Sequence, residues 1–354
     1  SANRNSSFEL LRIVAMLLIV LHHLCLYAYS GNSLPIVDLV RNLMLPGGKI
    51  GVDLFVLISG YFLAQGSIRS ASLLKTISAA WFYALLLGIC CALFFADSFG
   101  IGIFIKSFLP GKSGLPWFVT AYIGMYLTSP WLAKLANGLD SGQFKCMISI
   151  GIAMFSIVPM LPGCPFVTSN YSWFCFLFLI ACYIRRFGLS EIVAKKLIFS
   201  GICFLSLIIL LGEVIGFWFQ GSLSLIMSHV SSMNAAPVLM ISTGVFCLFM
   251  HLQLGSINRV NTIARCTFGV YLIHENVFVR ELLWPCFGFV FEHGVLWMVS
   301  LTLLSSALVF SICAGVDYAR VHLIEEPLFR SLSERSAALF NDLDRFLNGS
   351  SSSQ

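Results

Sequence analysis

Long apolar runs separated by short polar segments dominate this chain, and within the runs the apolar residues do not alternate with polar ones. A run of about 20 residues is long enough to cross a bilayer as a helix, whereas membrane β-strands require alternation. The pattern predicts an all-α polytopic membrane protein with about ten transmembrane helices. We place the predicted spans near 8–29, 47–66, 71–97, 115–137, 143–161, 170–187, 195–219, 235–254, 261–282 and 293–319.

Composition and charge agree with this prediction. Of the 354 residues, 58% are hydrophobic and only 10% are charged, far below the roughly 25% of soluble domains. The net charge of +5 does not indicate a nucleic-acid partner, because the basic residues fall in loops between spans. With the N-terminus inside, sixteen of the 21 Lys and Arg residues lie on the inner side, as the positive-inside rule requires. We therefore predict an inner-membrane protein with both termini in the cytoplasm.

The chain reads as one membrane domain, 8–330, followed by a cytoplasmic tail, 331–354. The tail sequence SLSERSAALFNDLDRFLN has apolar residues at helical spacing, which predicts an amphipathic surface helix followed by a disordered end. In the loop 98–114, the stretch FGIGIFIKSFLP is expected to form a short interfacial helix on the outer face.

Arg12 and His23 are the most informative pair of polar residues in the apolar runs. Eleven residues on a helix are about three turns, so both side chains share one face, separated by roughly 16 Å along the axis. Ionisable groups within a membrane span usually mark a functional site. Snorkelling would explain Arg12 alone, but its shared face with His23 favours an anionic partner from the cytoplasm, such as a phosphate-bearing cofactor.

Asp53 lies about six residues inside the outer end of the second span, at the predicted depth of His23. A carboxylate beside an imidazole fixes its tautomer and raises its basicity, as a general base acting on a hydroxyl needs. The alternative, that Asp53 packs against backbone at a glycine-rich helix start, stays open. His22 lies about 280° around the helix from Arg12, and we predict a packed, hydrogen-bonded role for it.

Other polar and aromatic residues extend the candidate site. His274, with Tyr271 nearly one turn before it, falls near mid-bilayer and lines an acceptor or acyl pocket or serves as a hydrogen-bonded core histidine. Trp117, at the outer end of the fourth span, is an interfacial anchor by default and a sugar-stacking platform as the sharper alternative. Arg69 and Lys75 are placed to meet phosphates from the cytoplasm, although topology explains them equally well.

Several kinds of site have no pattern in this sequence. The 12 cysteines contain no CxxC pair, and most lie in apolar runs where a thiol behaves as a small hydrophobe. We therefore predict no metal site. There is no P-loop, nucleophile elbow, HExxH or dinucleotide-binding glycine fingerprint.

Five sequence elements, in order along the chain, resemble those of one family. They are FELLRIVAMLLIVLHH with Arg12 and His23; GVDLFVLISGYFL with Gly51, Asp53, Phe55, Ser59 and Gly60; LPWF with Trp117; VYLIH with Tyr271 and His274; and IEEP with Glu325 and Pro327. Together they resemble the membrane-bound acyltransferase-3 family, which includes bacterial O-acetyltransferases of surface glycans. The arginine-rich stretch of many members is reduced here to Arg69 and Lys75.

This resemblance implies an acyl-CoA donor in the cytoplasm, with acetyl-CoA expected, and a glycan or other hydroxyl acceptor at the membrane. It implies that His23 is catalytic and that Arg12 binds the donor. The expected site residues are His23 and Asp53 for catalysis; Arg12, Arg69 and Lys75 for the cofactor; and Trp117, Tyr271 and His274 for the acceptor.

Alternatives to this interpretation concern both activity and assembly. A proton-coupled transporter or flippase of a lipid-linked or small polar substrate is the main one, because buried His and Glu residues can relay protons. Against it, the sequence shows no paired inverted repeats. The expected partners are the acceptor and membrane lipid, without nucleic acid, and whether two copies form a homodimer stays open.

Overall fold

The computed structural model describes residues 5–31, 34–65, 67–94, 102, 105, 116–161, 168–219 and 232–348. Throughout these residues the regular structure is helical. The α-helices are α1 Ser6–Tyr27, α2 Pro35–Met44, α3 Pro46–Leu63, α4 Ser70–Phe94, α5 Trp117–Gly138, α6 Ser141–Ile152, α7 Asn170–Phe187, α8 Glu191–Phe219, α9 Ala236–His251, α10 Asn258–Arg265, α11 Thr267–His274, α12 Val277–Leu283, α13 Val295–Arg320, α14 Glu326–Arg335 and α15 Ala337–Leu347.

Helical structure occurs at each of the ten predicted span positions. Within the described residues, six continuous helical segments are long and apolar enough to cross a membrane. The protein is therefore an all-α polytopic membrane protein. The interfacial helix expected in 98–114 falls almost wholly outside the described residues.

Local sequence signals set several helix boundaries. Asn5 caps α1, its side chain accepting a hydrogen bond from the amide of Ser7 at 3.0 Å. Pro35 and Pro46 occupy the first turns of α2 and α3, where a missing amide hydrogen has no cost. Gly188, with φ of 71°, ends α7, because glycine adopts this backbone conformation without steric strain.

Helix α1 lies at the centre of the bundle and packs against α3, α9, α10, α11 and α13. Its closest neighbour, α3, presents Gly48 and Gly51 to it. A methyl group at Gly51 would lie 2.5 Å from the carbonyl oxygen of Ala15, and one at Gly48 would overlap the side chain of His22. Small residues at these positions therefore allow α1 and α3 to approach closely, which fixes the depth of both helices.

The ninth predicted span is not one continuous helix, and this prediction was wrong. Residues 258–283 form three short helices, α10, α11 and α12. The break after α11 has a local cause, because the side chain of Asn276 accepts a hydrogen bond from the amide of Phe278 at 3.0 Å and so starts α12. The helical hydrogen-bonding pattern is consequently interrupted at Glu275 and Asn276.

The tail contains helix α15, which packs against the first turn of α4. Asp344 accepts a hydrogen bond from the backbone amide of Ser70 at 2.6 Å, and Asn348 bonds both the amide and the carbonyl of Ile68, at 2.8 and 2.9 Å. Asp344 thus serves α4 as a capping residue from a distant part of the chain. Leu339 and Phe346 of α15 are exposed, as on an amphipathic helix at a membrane surface.

Candidate active site

His23, near the C-terminal end of α1, faces a second imidazole rather than hydrocarbon. Its Nδ1 lies 2.9 Å from Nε2 of His274, the last residue of α11. His274 is fully buried, and its own Nδ1 lies 2.6 Å from the carbonyl oxygen of Val270, four residues earlier on α11. The two histidines therefore form a chain of hydrogen bonds that ends on the backbone.

The hydrogen-bond partners fix the tautomers of both rings. A carbonyl oxygen only accepts, so Nδ1 of His274 carries a hydrogen and donates it to Val270. In a neutral ring, Nε2 of His274 is then an acceptor, and Nδ1 of His23 must donate to it. This leaves Nε2 of His23 with a free lone pair, as a general base requires.

A carboxylate lies beside the donor nitrogen of His23. Oε2 of Glu275 is 3.4 Å from Nδ1 of His23. The other oxygen, Oε1, accepts from the hydroxyl of Tyr27 and from the guanidinium of Arg280, each at 3.3 Å. The Tyr27 ring stacks on the His23 imidazole, with ring centres 5.6 Å apart. Glu275 is thereby held where it stabilises a positive charge on His23.

The break after α11 explains how consecutive residues both reach His23. On a continuous helix His274 and Glu275 would point about 100° apart, so the helical pattern alone did not place both at one site. In the structure α11 ends at His274, and Glu275 is the C-cap that follows it. The side chain of Glu275 therefore does not follow the helical register. The only local signal was Asn276, a typical N-cap residue directly after Glu275.

His23 lines a cavity of about 780 Å³. Trp117 and Tyr271, two of the predicted acceptor-binding residues, line it as well, together with Tyr27, Glu275 and Arg280. A second cavity of about 560 Å³ shares part of its wall, including Trp117. Aromatic rings with a few polar groups are a typical lining for a carbohydrate or another polar ligand.

His274 was predicted to bind the acceptor, but it does not belong to the cavity wall. Its ring is fully buried, with Trp284 packed edge-on at 6.0 Å between ring centres. Because both of its nitrogens are committed to Val270 and His23, it orients His23 instead. The alternative of a hydrogen-bonded core histidine is therefore nearer to the structure.

The predicted pairing of Asp53 with His23 is wrong. Asp53 is fully buried, and its Oδ1 accepts a hydrogen bond from the indole of Trp173 at 2.9 Å, while Oδ2 lies 3.5 Å from the hydroxyl of Ser242. Equal depth in the membrane did not bring the two residues together, because their side chains leave α1 and α3 in different directions. Asp53 links α3 to α7 and α9, and Glu275 takes the position expected for it.

His22 has the packed role predicted for it. Its Nδ1 donates to the carbonyl oxygen of Leu45 at 2.6 Å, at the junction between α2 and α3. This bond joins α1 to the point where Pro46 starts a new helix.

Arg12 lies three turns below His23 on the same unbroken helix, α1. Its guanidinium contacts both carboxylate oxygens of Glu9 at 2.9 Å and keeps 29% of its surface exposed. Arg12 does not line the cavity of His23. The structure therefore separates the predicted donor contact from the predicted base by about half the length of α1.

Lys75 lines a different cavity, of about 670 Å³, with Arg265 and Arg320. Its ammonium is 3.9 Å from Glu325, and its side chain is 43% exposed. Arg69 is exposed, and its backbone amide donates to the hydroxyl of Tyr126 at 3.1 Å. Of these two predicted donor contacts, only Lys75 belongs to this cavity.

A buried hydrogen-bond network, which the sequence did not single out, lines the cavity that contains Lys75. Asp317 accepts from Tyr83 at 2.8 Å and from Arg320 at 2.7 Å, and Arg320 also bonds Glu325 at 2.7 Å. Gly269, on α11, makes room for the Asp317 carboxylate, which a methyl group there would overlap. Helix α11 thus contributes to this cavity at one end and to the His23 site at the other, about 9 Å apart by helical rise.

A family model described as an acyltransferase domain matches residues 5–316 of the chain. In the other two comparisons, neither a curated protein nor a solved structure matches the chain.

Proposed function

The chain belongs to the acyltransferase 3 family, and we propose that it moves an acetyl group from cytoplasmic acetyl-CoA to a hydroxyl of a cell-surface glycan. The observation that carries this proposal is the hydrogen bond from His23 to His274, since it leaves Nε2 of His23 free to accept a proton. His23 is at the wall of a cavity large enough for a saccharide.

In the proposed reaction, Nε2 of His23 removes the proton of the acceptor hydroxyl as that oxygen forms a bond to the acyl carbon. His23 then returns the proton to the departing sulfur as the carbon–sulfur bond breaks. Atoms and charges balance, because a thioester and an alcohol give an ester and a thiol. Between these steps the imidazole of His23 is positively charged, and the nearby Glu275 carboxylate, 3.4 Å from Nδ1, stabilises it.

The donor side of the proposal rests on cationic residues. Acyl-CoA supplies an activated acyl group as a thioester and carries phosphates at its other end. The side chains of Lys75, Arg265 and Arg320 border one cavity, where the carboxylates of Asp317 and Glu325 also lie. The three cations outnumber the two carboxylates of this wall, and guanidinium and ammonium groups are the ones that bind phosphate. Arg12 and Arg69 lie on the same predicted side of the membrane, and we propose them as further donor contacts.

The acceptor side is assigned to the cavity of His23. Trp117 offers an indole face, and Tyr271 and Tyr27 add further rings, as sugar rings require for stacking. The distribution of Lys and Arg supports an inner-membrane location with both termini in the cytoplasm. This orientation puts the cavity in the outer half of the membrane. We propose that all ten predicted spans cross the membrane, the ninth as the consecutive short helices α10, α11 and α12 and not as one helix, and we leave assembly as a homodimer to measurement.

The test compares cells that carry the wild-type protein, the His23→Ala variant, or neither. Mass spectrometry of surface polysaccharide should show acetyl groups, about 42 Da each by the composition of an acetyl ester, only with the wild type. Unchanged acetylation in His23→Ala cells, with normal amounts of protein in the membrane, would reject His23 as the base.

A second measurement separates the enzyme from a transporter or flippase. Acetyl-CoA at about 100 times its dissociation constant should stabilise the purified wild type by roughly 2.7 kcal/mol, seen as a raised melting temperature. Free acetate is the control. A protein that gains no stability from acetyl-CoA, yet carries a sugar-linked lipid across vesicles, would be a transporter.

A further inference from the structure

Lys49 is a cation of the active-site cavity. The sequence pattern placed it among the few basic residues on the predicted outer side and did not single it out. It lies in the first turns of α3, directly after Gly48, which packs against His22. It lines both the cavity of about 780 Å³ that contains His23 and the adjoining one of about 560 Å³. Its ammonium is therefore available to a ligand in either cavity.

The cations along these two walls differ in their contacts. Among the described residues, Lys49, Glu275 and Arg280 are the ionic side chains other than histidine that line the cavities. Arg280 contacts Glu275 at 3.3 Å and Glu281 at 3.4 Å. Lys49 is attracted by Glu275 and by the buried Asp53, but no carboxylate of the described residues forms an ion pair with its ammonium. Lys49 is therefore the cation of these walls without a direct ionic contact.

A cation at membrane depth that touches no carboxylate directly is expensive, and such a group marks a site where a charged partner is expected. The donor's phosphates are assigned to the opposite, cytoplasmic side, so the acceptor is the molecule left to supply the anion. Asn170 and Trp117, which line both cavities with Lys49, add a hydrogen-bonding amide and an aromatic face. These are the groups that recognise a sugar ring.

We propose that Lys49 binds a carboxylate or phosphate group of the acceptor and so selects anionic glycans. The proposal builds on the acceptor site proposed above, and it makes Lys49 a specificity-determining residue. A saccharide in this cavity meets His23 at one wall and Lys49 at another, so its negative group positions a hydroxyl at the base. Neutral saccharides lack this anchor.

The experiment measures binding to the full-length purified protein, without acyl transfer. The probes are methyl β-D-glucuronide, methyl β-D-glucoside 6-phosphate and the neutral methyl β-D-glucoside, each titrated against the melting temperature. Wild type should be stabilised by at least one of the anionic probes, and its apparent affinity should fall roughly tenfold or more in Lys49→Met, as expected for a lost charge-assisted contact. Lys49→Arg should keep most of the effect.

The matched control is Lys145→Met, because Lys145 is exposed on α6. It should bind the probes as wild type does. The proposal is overturned if neither anionic probe stabilises wild type more than the neutral one, or if Lys49→Met retains the difference. The proposal is also overturned if mass spectrometry of the surface polysaccharide shows that the acetylated glycan carries no negative charge. Because this assay needs no acyl donor, it can succeed even if acetyl-CoA proves not to bind.

Discussion

Nδ1 of His23 and Nε2 of His274 lie 2.9 Å apart although 251 residues separate them in the sequence. The bond joins the C-terminal part of α1 to the end of α11, in the interior of the bundle. With Val270 fixing the far side of His274, the pair holds one tautomer of His23. The catalytic proposal depends on this geometry, and the first predictions address it.

Removing the second imidazole should impair turnover more than binding. His274→Ala leaves Nδ1 of His23 without its acceptor, and we expect kcat to fall about 100-fold, the scale of general-base catalysis. His274→Gln, whose amide oxygen can accept from His23, should recover part of the loss. The measurement is acetyl transfer by the two purified variants. If His274→Ala were as active as His274→Gln, the side chain of His274 would only fill space.

The charge of Glu275 should matter to the rate. Glu275→Gln keeps a side chain of the same shape that still contacts Tyr27 and Arg280, but it removes the anion beside His23. We expect kcat to fall by about 10- to 100-fold with little change in KM, since the positive charge on His23 exists only during reaction. Steady-state kinetics in acetyl-CoA and acceptor will separate the two constants.

Glu281→Gln is the matched control for that variant. Glu281 contacts the same Arg280 at 3.4 Å, but its side chain is 59% exposed, and exposed ion pairs contribute little. Its kinetics should equal those of wild type. A loss as large as that of Glu275→Gln would assign the effect to Arg280 instead.

Asp53 should prove important for stability. Asp53→Leu leaves the indole hydrogen of Trp173 without an acceptor in the buried core, at a cost of about 1–3 kcal/mol. The melting temperature should drop accordingly. In the double variant with Trp173→Phe the loss should be smaller than the sum of the single effects, since the stranded donor is gone. Strict additivity would argue that the Asp53–Trp173 bond is energetically unimportant.

Gly269 should be needed for the cavity that contains Lys75. A methyl group in Gly269→Ala would displace the Asp317 carboxylate and so disturb its bonds to Tyr83 and Arg320. We expect lower thermal stability and weaker stabilisation by acetyl-CoA. Gly315→Ala is the control, since nothing lies within 4 Å of the added carbon. If both variants respond to acetyl-CoA like wild type, the donor does not use this cavity.

The cap supplied by the tail should contribute measurably to stability. Asp344→Ala removes the acceptor for the amide of Ser70 at the start of α4, and capping substitutions cost about 0.5–2 kcal/mol. Asp342→Ala, two residues away, is a suitable comparison because Asp342 is 69% exposed and pairs with Arg345 of the same helix. The melting temperature should fall for Asp344→Ala alone. No difference between the variants would mean that α15 does not hold α4 in solution.

The sequence by itself determined the helical membrane class, because long apolar runs have one stable arrangement in a bilayer. It also identified the family, whose motifs span most of the chain, and the placement of Arg12 and His23 on one helix. These properties depend on short-range periodicity and composition. They are readable without knowing which helices are neighbours.

Only the tertiary structure decided which polar groups meet. Depth along the membrane normal suggested Asp53 as the partner of His23, but depth says nothing about the direction in which a side chain leaves its helix. The break after α11 brought His274 and Glu275 to His23 together, and close packing of α3 on α1 turned Asp53 toward Trp173. Such contacts arise from the packing of distant segments, so a local pattern predicts which residues are expensive to bury and not which partner each one finds.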